Sequence, residues 1–413
     1  MRGSELDVGL LNKSGEALKW MNTGVWSGEA KEFAHDMTGD IQTMLTASGH
    51  DPVAVHDLVV PIDANGHPFF NNEFLGNVMT HQWTDGGAAA ANMLTGIPSV
   101  ANMPNPADPT PQVVATRAGE TVHAFDQYVA NHRGELLNIP GTDKLSLGQL
   151  SPDLTRALAQ ANVPYSDDMM DNKLDNTAGF APLDDIIKHP EMARTRDLFG
   201  VLGTDDWAAR VLNTNAYADI NAYQDAFARS VKDGTVNLEF SDLKSSGALQ
   251  GVIDGGANIA ANDVIDAQNL AADKAFQNKQ LWYDAAKNLP IFGDIVDKVG
   301  KVPGAEDMLK DLLVGDAPVP IDPQHVERIN EDLIKHTAVN KLLQIGAGDT
   351  GLLVGANVVD TNGELKPFGA ADVTTTQLTD AIDAYLSSLG VQMNTAWDGY
   401  GQYYDDVVEG QGK

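Results

Sequence analysis

The sequence contains no cysteine, which excludes every chemistry that needs a thiol. Its 413 residues include no Cys, so the chain has no disulfide framework, no thiolate zinc site and no cysteine nucleophile. Long apolar runs are also missing. No stretch reaches the roughly 18 consecutive apolar residues of a membrane-crossing helix, and we therefore expect no stable membrane insertion.

Positive charge is scarce. Lys and Arg number 27 against 58 Asp and Glu, which gives a formal net charge of −31. The basic residues are scattered singly, so no basic patch is available to bind a phosphate backbone. We predict no nucleic-acid partner, and the same balance disfavours anionic membrane surfaces. Apolar residues make up 43% of the chain, which is enough to build a packed core.

The N-terminus lacks the basic stretch and following apolar segment of a Sec signal peptide. Residues 10–18 instead read as a helix already under way, so we predict that residues 1–57 are the end of a longer helical domain. The expected location is secreted or in the cell envelope, by a route that needs no Sec signal. The cytoplasm is the alternative.

Helical patterns dominate the chain. One apolar face at helical spacing runs through residues 114–129. Residues 151–153, Ser-Pro-Asp, combine the cap, the proline and the acid of a helix start. Trp207 is predicted to lie on the buried face of a third helix, and a last helix is predicted over residues 376–389.

Two segments carry a β-hairpin signal, near residues 58–70 and 352–368. Each has Asn-Gly between apolar flanks, at positions 65–66 and 362–363. Asn-Gly favours a two-residue type I′ turn, in which both central residues have positive φ. The predicted fold class is therefore mainly α, a multi-helix assembly in two lobes with two short β-hairpins.

The predicted domains follow from these elements. Residues 1–57 form an N-terminal helical segment, residues 58–290 a helical domain that starts with the first hairpin, and residues 291–413 a C-terminal helical subdomain with the second hairpin. The two lobes are expected to meet near residues 290–320.

Two His-Asp dipeptides, His35-Asp36 and His56-Asp57, resemble the seed of the metal site in HD-type phosphohydrolases. Such a site needs further imidazole and carboxylate ligands that converge on one metal ion. No His-Glu-x-x-His motif occurs, and the other histidines are dispersed. We predict no metal site, and keep a metal-dependent hydrolase with His and Asp ligands as the alternative function.

Residues 346–351 match the G-x-G-x-x-G spacing of dinucleotide-binding loops. A helix is predicted before this segment and a strand over 352–354 after it, which inverts the order that a dinucleotide site requires. We therefore predict a helix end with a loop, and no cofactor. Residues 360–363, Asp-Thr-Asn-Gly, resemble part of a calcium loop, but the Gly comes too early for an EF-hand, and a turn is the preferred interpretation.

His81, Trp83 and Asp85 precede a Gly-Gly pair and an Ala-rich helix predicted over Ala88 to Leu94. Asp85 is expected to cap that helix through its carboxylate. Trp83 is expected to lie buried against it, because an indole contributes a large apolar area beside small side chains. The functional alternative is that the three residues form an exposed recognition patch for a partner protein.

Three segments resemble a large family of actinobacterial proteins. They read HQWTDGGAA at residues 81–89, LGQLSPDL at 147–154 and GALQGVID at 247–254. The family consists of mycobacterial and streptomycete proteins of uncharacterised function that are associated with type VII (ESX) secretion, and some members carry the label "TPR repeat region". The resemblance covers roughly residues 70–290.

This resemblance implies a non-enzymatic helical scaffold or effector-accessory protein with a protein partner. The family has no established catalytic residues, so none is assigned here. Trp26-Ser27-Gly28 lies between two helical segments, as the Trp-Xaa-Gly turn does in the small helical hairpins that the pathway exports. The usual tail signal of the pathway, a Tyr followed four residues later by an acid, is not met at Tyr400, Tyr403 or Tyr404.

Overall fold

The computed structural model of this chain describes residues 3–23, 29–102, 109–171, 177–235, 242–263, 331–389 and 393–410. The chain divides into two compact units, Met1–Leu212 and Asn213–Lys413. Helices dominate the described ranges, which confirms the mainly α prediction. The predicted meeting point of the lobes and the Trp26-Ser27-Gly28 turn lie outside the described residues, so the predicted domain bounds stay a prediction.

The first unit is built from short and medium helices. They are α1 (Glu5–Thr23), α2 (Glu29–Ser48), α3 (Pro52–Val59), α4 (Asn72–Thr80), α5 (Ala88–Ala91), α6 (Pro109–Asn131), α7 (Arg133–Leu137), α8 (Leu147–Leu150), α9 (Pro152–Asn162) and α10 (Ala193–Leu202). Helix α11 (Asp206–Asp233) begins in the first unit and ends in the second. Among the described residues, no helix combines the length and the apolar composition that a bilayer crossing needs.

Helices α1 and α2 pack against each other, and α4 lies along α1. Leu18 of α1 and Ile41 of α2 are fully buried, so each helix contributes an apolar stripe to the core. The polar edge of the α1–α4 contact is an ion pair, with Lys19 Nζ 2.8 Å from Glu73 Oε1. Helix α1 also packs against α3, and α3 against α4, so these contacts connect the first four helices.

Helix α6 is the centre of the first unit, because α3, α4, α9 and α10 all pack against it. Its predicted apolar face is confirmed: Val122, Phe125 and Val129 are fully buried. Helix α9 begins at Pro152, as residues 151–153 predicted.

The second unit contains α12 (Asp242–Asp263), α13 (Glu331–Gln344), α14 (Gly351–Gly355), α15 (Thr375–Ser388) and α16 (Met393–Glu409) among its described residues. The helix predicted over residues 376–389 corresponds to α15. This helix begins with a capping box formed by Thr374 and Gln377. Helices α12 and α16 pack closely. A Cβ on Gly251 would lie 2.8 Å from the Cβ of Val407, so the glycine permits this approach.

The two predicted β-hairpins are wrong. In the described part of the chain, each Asn-Gly segment forms one isolated antiparallel bridge, between Ile62 and Pro68 and between Val359 and Leu365, and no strand. Only the glycine of each pair has positive φ, 84° at residues 66 and 363, so neither turn is the type I′ turn of a two-residue hairpin. The apolar residues expected in the first strands lie partly in α3 and α14 instead.

An aspartate carboxylate closes each of these turns. Its Oδ1 accepts the N–H groups two and four residues ahead, at 2.8–3.0 Å (Asp63 from Asn65 and His67, Asp360 from Asn362 and Glu364). We name residues 61–70 the first Asp-x-Asn-Gly loop and residues 358–368 the second. These hydrogen bonds confirm the turn interpretation of residues 360–363.

Two smaller predictions are also wrong. Trp207 is 38% exposed, because the buried face of α11 starts one residue later, at Ala208, and continues through Leu212. Residues 352–354, predicted as a strand, lie in α14, where Leu353 is buried and Val354 is exposed.

Candidate functional site

The turn of residues 81–89 joins α4 to α5 and carries the three residues that the sequence singles out. His81 and Trp83 are only 5% and 6% exposed. Their rings meet edge to face with centroids 4.5 Å apart, a favourable aromatic geometry. The indole Nε1–H donates to the carbonyl oxygen of Val78 at 3.0 Å. The predicted burial of Trp83 is therefore confirmed.

His81 ties the turn to α1 and α2. Its Nδ1 lies 3.3 Å from Asn22 Oδ1 and its Nε2 lies 3.2 Å from Thr38 Oγ1. The amide nitrogen of Asn22 donates to Asn77, so Asn22 presents its oxygen to the ring. The proton of the neutral imidazole is thus assigned to Nδ1, and Nε2 accepts from Thr38.

Burial lowers the pKa of His81 to about 4, against the opposing attraction of Asp85. The ring is consequently neutral at neutral pH. A neutral ring suits its surroundings, because one nitrogen must accept a hydrogen bond while the other donates.

Asp85 holds the start of α5. Its Oδ1 accepts the N–H of Gly87 at 3.0 Å and its Oδ2 accepts the N–H of Ala89 at 2.9 Å. The predicted capping role is confirmed by these two bonds, although Gly87 occupies the cap position itself. The helix that follows is shorter than predicted, since it ends at Ala91.

The segment of residues 147–154 lies directly against this turn. The N–H of Asp153 donates to the carbonyl oxygen of Gly86 at 3.0 Å. A Cβ on Gly87 would fall 2.9 Å from the Cβ of Leu154. Two of the three segments on which the sequence resemblance was based are therefore neighbours in the first unit.

The same segment is anchored at its other side to the start of α11. The N–H of Gly148 donates to Thr204 Oγ1 at 3.0 Å. Two residues past the segment, Arg156 forms a bidentate ion pair with Asp205, with Nε 3.1 Å from Oδ1 and Nη2 2.9 Å from Oδ2. Such a pair fixes the relative orientation of the two side chains in addition to attracting them. The third segment, residues 247–254, lies on α12 in the second unit.

The solvent-exposed surface of the turn of residues 81–89 is not formed by His81 and Trp83. His81 and Trp83 lie in the interior, whereas Gln82, Thr84 and Ala88 are exposed. Gln82 Nε2 donates to the carbonyl oxygen of Gly141 at 3.1 Å. A partner that approached this face would therefore meet the exposed neighbours, with the aromatic pair as their support.

The His-Asp dipeptides assemble no metal site in the described residues. Both ring nitrogens of His56 already face carboxylates, with Nδ1 3.1 Å from Asp57 Oδ1 and Nε2 2.8 Å from Glu120 Oε2. The side chain of His35 lies outside the described part. No group of three metal-binding side chains (His, Cys, Asp or Glu) comes together in the ranges that the structure describes.

The G-x-G-x-x-G segment lies between two helices, α13 and α14. Gly346 and Gly348 have positive φ, 67° and 69°, and Asp349 Oδ1 accepts the N–H of Gly351 at 2.8 Å. This is a helix end followed by a helix start, without the preceding strand of a dinucleotide site.

Sequence reasoning missed two buried histidines, His123 on α6 and His336 on α13. His123 is packed between the rings of Phe70 and Phe180, with centroids 5.5 and 5.2 Å away. His336 lies 5.2 Å from the ring of Phe368. Burial lowers the pKa of each to about 4. No such signal pointed to His123, because at about 100° per residue it lies on the opposite side of α6 from the predicted apolar face of residues 114–129.

Comparison with protein families gives a match at the start of the chain. Residues 1–96 are similar to the family described as a TPR repeat domain. The matched range contains α1 to α5 and ends just after the turn of residues 81–89. The sequence shows no readable tetratricopeptide signature, and the resemblance drawn from it begins only at about residue 70, so the match extends the similarity to α1–α3. No curated protein and no solved structure matches the chain significantly.

Proposed function

We propose that this chain is a non-enzymatic helical scaffold that binds a protein partner through its first 96 residues. The observation that carries the proposal is the similarity of these residues to a TPR repeat domain. Repeats of this kind stack helix pairs into extended binding surfaces. The packing of α1 on α2, with α4 alongside, supports such a role.

The exposed side chains of the matched range indicate where a partner would bind. Leu6 is 69% exposed, Ile62 69% and Phe69 49%. Single exposed apolar residues are common, but aromatic and aliphatic anchors carry much of the energy of protein interfaces. The net charge of −31 favours a partner with a basic surface, because complementary potentials speed encounter.

We further propose that the scaffold serves type VII secretion as an effector-accessory protein, located outside the cytoplasm. This step rests on the three segments that resemble the actinobacterial family, of which residues 81–89 and 147–154 adjoin in the first unit.

The experiment is co-purification of the tagged full chain from a mycobacterial host, with mass spectrometry, followed by binding of the purified partner. The variant replaces Leu6, Ile62 and Phe69 with Ser, and should lose the partner. The matched control is Ile187→Ser, since Ile187 is 57% exposed in the same unit but outside the matched range. Equal recovery with both variants would refute the proposed surface.

The secretion step is tested separately. The chain is followed in culture filtrate, envelope and cytoplasm of hosts with an intact or an inactivated ESX system. We expect its export or its partner's export to depend on that system. Unchanged distribution of both proteins would refute the link to secretion and leave the scaffold role standing.

A further inference from the structure

A chain of three hydrogen bonds fastens the second Asp-x-Asn-Gly loop to α13. His336 Nε2 lies 2.9 Å from the carbonyl oxygen of Lys366. His336 Nδ1 lies 3.3 Å from Asn340 Nδ2. The N–H of Leu365 donates to Asn340 Oδ1 at 2.8 Å. Both side chains are buried, His336 to 2% and Asn340 to 7% exposure.

These bonds determine the protonation state of the imidazole. A carbonyl oxygen only accepts, so Nε2 must carry a proton to bond Lys366. Asn340 uses its oxygen for Leu365, so it turns its NH₂ group to the ring, and Nδ1 must accept with its lone pair. The network is complete only when His336 is neutral.

Protonation of His336 breaks this network in either orientation of the amide. A proton on Nδ1 would face the NH₂ group of Asn340, donor against donor. If the amide of Asn340 rotates to offer its oxygen to the ring, its NH₂ group then opposes the N–H of Leu365. One buried polar group is left unsatisfied in both cases, which costs free energy.

We propose that His336 and Asn340 form a proton-operated clip, which holds the second loop when His336 is neutral and releases it when His336 is protonated. This role is independent of the proposed partner binding, because the clip lies in the second unit. It would make the accessibility of residues 358–368 depend on pH.

The electrostatic setting supports the clip. Burial lowers the pKa of His336 to about 4, although its hydrogen bond to Lys366 opposes the shift. The cations of the neighbouring elements have carboxylate partners: Lys335 with Asp383 of α15, Lys366 with Asp372, and Lys341 with Asp225 of α11. Glu364 lies in the loop itself.

The direction in which pH changes loop opening follows from the difference between the pKa of His336 in the open and closed forms. In the open loop the imidazole regains an ordinary pKa of about 6.5, while the closed form has a pKa of about 4. The open form therefore binds the proton more tightly, and opening becomes easier as pH falls between these values. The opening equilibrium should rise by up to roughly 300-fold over that range.

The first Asp-x-Asn-Gly loop provides an internal control. It has the same aspartate closure and the same single bridge, but Pro68 stands where the second loop has Leu365. Proline has no N–H, so a clip of this kind cannot form there. His123 reaches this loop through the ring of Phe70.

The test is hydrogen exchange of the full chain, measured by mass spectrometry between pH 7 and pH 4.5 and corrected for intrinsic exchange. Residues 358–368 should lose protection as pH falls, relative to residues 61–70. In Asn340→Asp, a carboxylate can accept from Leu365 and from a protonated His336 together. This variant should therefore keep the second loop closed over the same range.

The matched control is Asn357→Asp, which adds the same charge at an exposed residue beside the loop, keeps an oxygen to accept from Lys366 Nζ, and should keep the wild-type response. Histidine-selective NMR gives a second readout that needs no variant: His336 should show the Nε2–H tautomer and a depressed pKa. A release at the same pH in Asn340→Asp as in wild type would refute the clip. So would a wild-type His336 that titrates near pH 6.5 while the loop stays protected.

Discussion

Gly87 and Leu154 meet where α5 faces α9, so closely that a Cβ on Gly87 would lie 2.9 Å from the Cβ of Leu154. Gly87 also has a φ of +85°, a conformation that is costly for any residue with a side chain. Gly87→Ala should therefore destabilise the protein through both strain and overlap, by about 2 to 4 kcal/mol. Chemical denaturation of the first unit measures the loss.

Gly66→Ala separates the two contributions. Gly66 has nearly the same φ, +84°, but nothing lies within 4 Å of its added Cβ. This control should show only the strain, about 1 to 2 kcal/mol. An equal loss in both variants would mean that the contact with Leu154 relaxes without cost.

Trp83→Ala should remove the support of the turn of residues 81–89. The indole is 6% exposed and packs on the ring of His81, so its truncation leaves a cavity that costs about 3 to 5 kcal/mol. Trp83→Phe keeps most of the apolar area and loses the bond to Val78, so a smaller loss is expected. Urea unfolding followed by circular dichroism distinguishes them. Two variants as stable as wild type, with partner binding lost, would instead indicate a recognition role.

Asp85→Ala should cost about 1 kcal/mol, the usual worth of a helix cap. The variant loses the acceptors of the Gly87 and Ala89 N–H groups. Asp85→Asn retains one side-chain oxygen and should recover part of the loss. Thermal unfolding of wild type and the two variants at one pH measures the loss in Asp85→Ala and its partial recovery in Asp85→Asn. An Asp85→Ala variant as stable as wild type would show that water fully replaces the capping carboxylate.

The capping by Asp85 could be predicted because its signal is local: an acid, a glycine pair and an alanine run. The apolar face of α6 was predictable for the same reason, since its spacing repeats every turn. The contact of Gly87 with Leu154 is not local, and no sequence pattern encodes it.

The hairpin error shows a different limit. Asn-Gly occurs both in type I′ turns and in turns in which only the glycine has positive φ. At Gly66 and Gly363 the preceding aspartate decides, because its carboxylate draws the backbone N–H groups inward. The buried His336 was missed because one of its two partners, the carbonyl oxygen of Lys366, belongs to a loop distant in sequence.

Gly251→Ala tests the packing of α12 on α16. An added Cβ would lie 2.8 Å from the Cβ of Val407 and 2.9 Å from the carbonyl oxygen of Tyr404. The helices must separate, and we expect a loss of about 1 to 3 kcal/mol. Gly401→Ala on α16 is the control, since nothing lies within 4 Å of its Cβ. Alanine has the better helix propensity, so this control should gain up to about 1 kcal/mol. If Gly401→Ala also lowers the stability, the loss in Gly251→Ala cannot be assigned to overlap with Val407.

Asp126→Asn should make the protein more stable at neutral and alkaline pH. Asp126 is fully buried on α6, and burial raises its pKa well above the ordinary value, against the hydrogen bond from Asn162. The folded chain therefore holds a proton that the unfolded chain releases above about pH 4, so wild-type stability falls as pH rises from there to the folded pKa.

The geometry shows why Asn fits this position. Asn162 Nδ2 donates to Asp126 Oδ1 at 2.9 Å and to the carbonyl oxygen of Leu158 at 3.1 Å. No described donor reaches Asp126 Oδ2 or Asn162 Oδ1. An NH₂ group in place of Oδ2 supplies a permanent donor, as a protonated carboxyl would. The stability gap between Asn and Asp should widen by about 1.4 kcal/mol for each pH unit in this range. Denaturation of both proteins from pH 5 upward measures it, and two parallel curves would show that Asp126 is ionised in the folded chain.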